Sequence, residues 1–110
     1  MDISETKSGG IVILGVKGRI DASNASTLEQ KALALIDGGE RRLVLDLAQL
    51  DYISSAGLRV LLMVAKRLTP RDGKLAIASL RDQVKEVFDI AGFSSIFKIY
   101  PTQKDAVAAV

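Results

Sequence analysis

Short apolar segments alternate with segments of helical periodicity along this chain, and this alternation limits its fold more than any other feature. After an initial pair of strands, three helical segments are each followed by a short apolar run, and a fourth comes last. This order is typical of an α/β domain with mixed strands and right-handed crossovers. A chain of 110 residues suffices for one core. We therefore predict one domain over residues 1–110, with a central mixed sheet of four to five strands and about four helices.

Turn and capping residues divide the chain where the apolar periodicity changes. Gly9-Gly10 predicts a hairpin turn. Asp21 or Ser23 is a candidate N-cap for the first helix, and Gly38-Gly39 is the candidate C-terminal stop of that helix. After a short N-terminal strand, the predicted strands lie at residues 11–16, 42–47, 74–78 and 96–100. The first predicted helix spans residues 22–36, and the second runs from the Ser54-Ser55 pair to about residue 68. The third spans residues 82–91, and the fourth follows Thr102 and ends at residue 109. Residues 48–52 are predicted to form a loop.

The chain contains neither cysteine nor histidine, and this absence excludes most catalytic and metal chemistry. Disulfides, thiolate nucleophiles, serine–histidine pairs and nearly all zinc or copper sites require one of these residues. No glycine-rich phosphate loop with a lysine and no Gly-x-Ser-x-Gly motif is present. The sequence therefore predicts a protein that is not an enzyme and that needs no cofactor or metal ion.

The charge and hydropathy patterns also narrow the choice of partners. A formal net charge of +2, with basic residues scattered along the chain and only five aromatic residues, argues against nucleic acid as a partner. No apolar run approaches the roughly 20 residues that span a bilayer, and the N-terminus lacks a signal-peptide pattern. We expect a cytoplasmic protein without membrane contact. We also expect a monomer, because so short a chain has no obvious spare interface.

The Ser54-Ser55 pair is the one place where the sequence can support regulatory chemistry. Unpaired N–H groups and the helix macrodipole favour negative charge at a helix start, so a hydroxyl there is a suitable phosphoryl acceptor. Gly57 allows close packing over the first turn. The alternative is purely structural, since serine is a preferred N-cap residue. Both interpretations remain open from the residues alone.

Residues 46–61, with the sequence DLAQLDYISSAGLRVL, closely resemble the core motif of the STAS family. That family contains bacterial anti-sigma factor antagonists and cytosolic domains of sulphate transporters. Residues 18–21 resemble its first strand-to-helix loop, residues 73–75 its next-to-last strand and residues 87–92 its third helix. The resemblance extends over nearly the whole chain. It implies a STAS-like α/β domain that binds another protein.

The resemblance also implies where a phosphate would be attached. Family members regulated by phosphorylation carry the motif Asp-Ser-x-Gly-Leu, and the modified serine stands two positions before the glycine. On this chain the acceptor falls on Ser55, while Ser54 occupies the aspartate position and is the alternative acceptor. Asp21 matches a family loop aspartate that lies beside the phosphorylation site.

By the same resemblance, the expected partner is an anti-sigma factor of the serine kinase type, and a metal-dependent serine phosphatase is a second one. Phosphorylation of Ser55 would switch binding off. The predicted partner-binding residues are Asp21, Ser23, Ser54, Ser55, Gly57, Leu58, Arg59 and Met63. Val60 and Val64 either join this surface or pack beneath neighbouring elements. The alternative function is a constitutive STAS scaffold subunit of a lipid-transport or sensory complex, without regulated phosphorylation.

Overall fold

Alternating strand residues face opposite sides of a central sheet in a computed structural model, which describes all 110 residues. The strands are β1 (Asp2–Ser8), β2 (Ile11–Ile20), β3 (Arg42–Asp46), β4 (Leu50–Ile53), β5 (Lys74–Ala78) and β6 (Lys98–Tyr100). The helices are α1 (Ala25–Asp37), α2 (Ser55–Leu68), α3 (Asp82–Ile90) and α4 (Gln103–Ala109), and single 3-10 turns follow α2 and α3 at Thr69–Arg71 and Phe93–Ser95. This arrangement confirms the predicted α/β class, the mixed sheet and the four helices.

The sheet has the strand order β1-β2-β3-β5-β6, and β4 pairs with β2 outside this path. β1 and β2 form an antiparallel hairpin, whereas every other pair is parallel. The hairpin turn lies at Gly9 and Gly10 as predicted, and both residues have positive φ, which glycine adopts without a steric penalty. No helix is both long and apolar enough to cross a membrane.

The prediction of a loop at residues 48–52 was wrong for its second half, which forms β4 and adds a sixth strand. β2 is ten residues long and pairs with β3 only through Gly15, so its last residues are free to pair with another strand. The register shifts between Gly18 and Arg19, and the Gly18 N–H donates to the Gln49 carbonyl at 3.0 Å. Strand pairing therefore organises a segment that is too short to show its own periodicity.

Two apolar layers cover the two faces of the sheet. The larger core packs one face against α1, α2 and α3, and it includes Val12, Leu14, Leu43, Leu45, Ile77, Leu28, Leu61 and Phe88. The intervening strand residues form the smaller core with α4, made of Ile11, Ile13, Val44, Ala76, Ala78 and Ala106. The period of two in the strands thus assigns successive side chains to different layers.

Several predicted boundaries shift by one to four residues, and the largest shift is the end of β2, which lies at Ile20 and not at residue 16. α1 begins at Ala25 and not at residue 22, and α3 ends at Ile90. β6 begins at Lys98, because the chain is still in a turn before it: the Ile96 and Phe97 N–H groups both donate to the Phe93 carbonyl, at 3.0 and 3.1 Å. The predicted cap of α4 is confirmed, since the Thr102 hydroxyl accepts from the Asp105 N–H at 3.1 Å.

Candidate partner-binding and phosphorylation site

Two loops meet where β2 and β4 end. These strands are parallel and place Ile20 opposite Ile53, so the residues that follow them, Asp21 and Ser54, leave the sheet at the same edge. The Ser54 N–H donates to the Ile20 carbonyl at 2.9 Å and joins the two loops through the backbone. The carboxyl ends of neighbouring parallel strands are a frequent place for binding sites in open α/β sheets.

Ser54 is the N-cap of α2. Its backbone is extended, with φ −88° and ψ 173°, and its hydroxyl oxygen accepts a hydrogen bond from the Gly57 N–H at 3.3 Å. Its carbonyl accepts from the Leu58 N–H at 3.0 Å and closes the first helical turn. Ser54 is half-buried. The capping role that the sequence allowed for one serine of the pair is therefore confirmed for Ser54.

Ser55 differs from its neighbour in its position, its exposure and the bonding of its hydroxyl. It is the first residue of α2, its side chain is exposed, and its hydroxyl makes no hydrogen bond within the chain. Backbone N–H groups in the first turn of a helix have no intrahelical partner and favour negative charge nearby. Ser55 thus combines an unengaged hydroxyl with a local field that tolerates an anion.

Gly57 brings the start of α2 directly against the ends of both strands. A Cβ atom at this position would lie 2.6 Å from Ile53 Cγ1 and 2.7 Å from Ile20 Cγ2. Gly57 and Leu58 are both buried. Both are among the predicted partner-binding residues, which stays a prediction, and the structure places their atoms in the core at the start of α2.

Asp21 is held in a turn of its own. The hydroxyl and the N–H of Ser23 both donate to Asp21 Oδ1, at 2.6 and 3.0 Å. These two bonds, with a smaller contribution from the positive charge of Arg19, hold the pKa of the Asp21 carboxyl below its usual value. Asp21 therefore keeps a fixed negative charge beside the start of α2.

The prediction that Asp21 or Ser23 is the N-cap of α1 was wrong. Asn24 occupies that position, and no side chain caps the helix. The Asp21 carboxylate is directed to Ser23, while only its backbone carbonyl accepts from the Ala25 N–H, at 2.9 Å. The Asn24 amide instead holds the loop, donating to the Arg19 carbonyl and accepting from the Asp21 N–H, both at 2.9 Å.

The outer side of α2 presents Arg59 and Met63 to solvent, and Met63 is 39% exposed. Val60 and Val64 are buried, which decides the alternative left open by the sequence in favour of packing beneath neighbouring elements. A shallow groove of about 240 Å³ runs between α1 and α2. Its walls are formed by Ala25, Ser26, Glu29, Ala56, Arg59, Val60 and Met63.

Residues 2–106 match the family model of the STAS domain. The chain belongs to the STAS domain family. BtrV of Bordetella bronchiseptica, provisionally named an anti-sigma factor antagonist, is 47% identical over 109 residues, which are 99% of this chain and 94% of that protein. An anti-sigma factor antagonist from Mycobacterium paratuberculosis has a solved structure with a TM-score of 0.90 and 27% identity, covering 99% of this chain and 92% of that one. The Bacillus cell fate determinant SpoIIAA, solved in its phosphorylated form, shares the fold with a TM-score of 0.78 and 15% identity over 98% of each chain.

This STAS domain brings most of the residues singled out in the sequence to one end of the molecule. Asp21 and Ser23 lie on one loop, and Ser54 ends the adjoining one. Ser55 begins α2, and Arg59 follows one helical turn later. Met63 lies a further turn along α2, on the groove between the helices.

Two contributions to this surface were not predicted from the sequence. One is the wall supplied by α1, namely Ala25, Ser26 and Glu29, whose position becomes apparent only when α1 is packed against α2. The other is Arg19, whose guanidinium carbon lies 4.3 Å from the centre of the Tyr52 ring. The pairing of β2 with β4 puts these two residues side by side, so a sequence analysis that recognised β4 would have found them.

Proposed function

We propose that this STAS domain is an anti-sigma factor antagonist that binds an anti-sigma factor of the serine kinase type and is switched off by phosphorylation of Ser55. The observation that carries the proposal is the different placement of the two serines. Ser54 uses its hydroxyl to cap α2, whereas the Ser55 hydroxyl is exposed and unengaged. Relatives named as anti-sigma factor antagonists support the choice of partner.

In the proposed reaction the kinase transfers the γ-phosphoryl group of ATP to Ser55 Oγ. A new O–P bond forms, the bond between the β and γ phosphates breaks to release ADP, and the hydroxyl proton passes to a base of the kinase. This chain is the substrate and performs no catalysis. A metal-dependent serine phosphatase restores the hydroxyl, and we place both reactions in the cytoplasm.

The phosphate acts on binding and not on folding. It adds a charge of about −1.5 to −2 at a helix start, where negative charge is tolerated. It also adds to the negative charge of the ionised Asp21 carboxylate, which leaves the sheet at the same edge, so the surface offered to the partner becomes more negative. A mismatched charge in an interface costs on the order of several kcal/mol. Since each ~1.4 kcal/mol weakens binding tenfold, this is enough for an on/off switch.

The test is incubation with ATP and a serine kinase anti-sigma factor of the source organism, followed by mass spectrometry of the intact and digested protein. We expect one phosphate, on Ser55. Ser54→Ala should still be phosphorylated, whereas Ser55→Ala should bind the kinase and resist modification. Phosphate on Ser54, or on neither serine, would contradict the proposal. Recovery of the tagged protein in a membrane transport complex without a kinase would favour a constitutive scaffold instead.

A further inference from the structure

Arg59 lies four residues after Ser55 on α2, and both side chains are exposed. Residues at this spacing lie on the same face of a helix, with about 5–6 Å between their Cβ atoms. The five ion pairs of the molecule do not include Arg59, and its guanidinium makes no hydrogen bond. An arginine without a partner is therefore held one turn away from the unengaged hydroxyl.

Other charged groups near this position do not provide the same contact. Arg19, on the neighbouring strand β2, lies over the Tyr52 ring, and the Asp21 carboxylate accepts from Ser23. Glu29 lines the same groove as Arg59, but the two side chains form no ion pair. Arg59 is thus the cation on α2 that stands at helical pairing distance from Ser55.

We propose that Arg59 binds the phosphate of phosphorylated Ser55 across one turn of α2 and is thereby withdrawn from the partner-binding surface. The planar guanidinium group presents two parallel N–H donors, which suit two phosphate oxygens. Phosphorylation then changes two features of the surface together. It introduces an anion at Ser55, and it engages a cation that the unmodified protein offers to a partner. This inference rests on the proposed function, because it requires phosphate on Ser55.

The test uses full-length protein with phosphoserine incorporated at position 55 during translation, so that no kinase is needed. Titration followed by ³¹P NMR measures the second pKa of the phosphate, which lies near 6 for a free phosphoserine. We expect Arg59→Gln to raise this pKa by about half a unit, because the pairing favours the dianion. Arg59→Lys should raise it by less, since the charge remains while the paired donors are lost.

The matched control is Lys66→Gln, which removes the same charge from an exposed position on the same helix, at its far end. We expect this change to leave the phosphate pKa unaltered. Equal pKa values for the parent and Arg59→Gln proteins, or equal shifts for Arg59→Gln and Lys66→Gln, would overturn the inference. Failure of a kinase to modify Ser55 would instead contradict the proposed function alone, so the two failures are distinguishable.

Discussion

Gly57 shows how a single residue sets the geometry of the whole site. Alanine normally favours a helix interior over glycine by about 1 kcal/mol. Here the added methyl would come within 2.7 Å of carbon atoms of both Ile20 and Ile53, at the ends of the two strands. We therefore expect Gly57→Ala to destabilise the domain by about 1–3 kcal/mol, as overpacking of a core does. Urea denaturation measures this change.

A double-mutant cycle identifies the cause. Ile53→Ala removes one of the two clashing side chains, so Gly57→Ala should cost less in that background than in the parent protein. If Gly57→Ala destabilised both proteins equally, the loss of stability would not arise from the contact with Ile53. A gain in stability from Gly57→Ala alone would mean that α2 does not pack this closely on the strands.

Asp21 provides a prediction about pH. The hydroxyl of Ser23 is the largest influence that lowers the pKa of this carboxyl. Ser23→Ala should therefore raise the pKa of Asp21 toward the ordinary aspartate value, while the remaining N–H bond and Arg19 keep part of the shift. Titration of the carboxyl carbon by ¹³C NMR measures it. Ser26→Ala, an exposed serine of the first helix, is the control and should leave the pKa unchanged.

The sign of the linked stability follows from the direction of the pKa shift. Because folding lowers the pKa of Asp21, its contribution is fully present above the unfolded pKa and is lost as pH falls through the folded one. The stability difference between the parent protein and Ser23→Ala that arises from Asp21 should therefore vanish once the pH lies below the folded pKa of Asp21. A difference that grew on acidification would contradict this assignment.

At the level of elements, helix α2 depends on the cap that Ser54 supplies. Ser54→Ala removes the oxygen that accepts from the Gly57 N–H, and we expect a loss of about 1 kcal/mol in the free energy of unfolding. Ser54→Asp keeps an acceptor and adds negative charge at the helix start, so it should preserve stability. Ser55→Ala, whose hydroxyl is unengaged, is the control and should stay within about 0.5 kcal/mol of the parent. Equal losses for the two alanine variants would contradict the division of roles between the serines.

The elements also show what the sequence can and cannot predict. Helical periodicity identifies α2, whose buried residues Leu58, Leu61 and Leu68 recur at helical spacing. β4 cannot be recognised from hydrophobic periodicity, because it is four residues long and only its first and last residues are buried. Its existence depends on β2 offering free backbone groups beyond β3, which is a tertiary effect.

The site was predicted in part, for similar reasons. The resemblance to the STAS motif assigns the phosphoryl acceptor to Ser55, two positions before Gly57, and this assignment stays a prediction. The prediction that Asp21 could cap the first helix was wrong, because the N–H and the hydroxyl of Ser23 both bind its carboxylate. Leu58, predicted to bind the partner, is buried at the start of α2, and its contribution to binding stays a prediction. Which neighbour a side chain finally contacts depends on the tertiary arrangement of the elements, and sequence spacing does not contain that information.

For the whole molecule, the two apolar layers allow a substitution to change the stability of the domain without changing its affinity for a partner. The smaller core, under α4, lies on the face of the sheet opposite to α1 and α2. Ala106 is fully buried there, so Ala106→Leu should destabilise the domain by about 1–3 kcal/mol through overpacking. The affinity of the folded protein for the proposed anti-sigma factor partner should not change, because the proposed binding surface lies on the other side of the sheet.

Met63→Ala should weaken binding and leave stability nearly unchanged, which is the opposite of what we expect for Ala106→Leu. Met63 is partly exposed on the groove between α1 and α2, where truncation removes contact area and leaves the core intact. We expect binding to the anti-sigma factor to weaken about tenfold, as for a moderate interface contact, with little change in unfolding free energy. Calorimetric titration and urea denaturation of both variants give the two quantities separately. If Ala106→Leu lowered the affinity of fully folded protein as much as Met63→Ala does, the surface that binds the partner would have to include the α4 face, and the proposed location of the interface would be wrong.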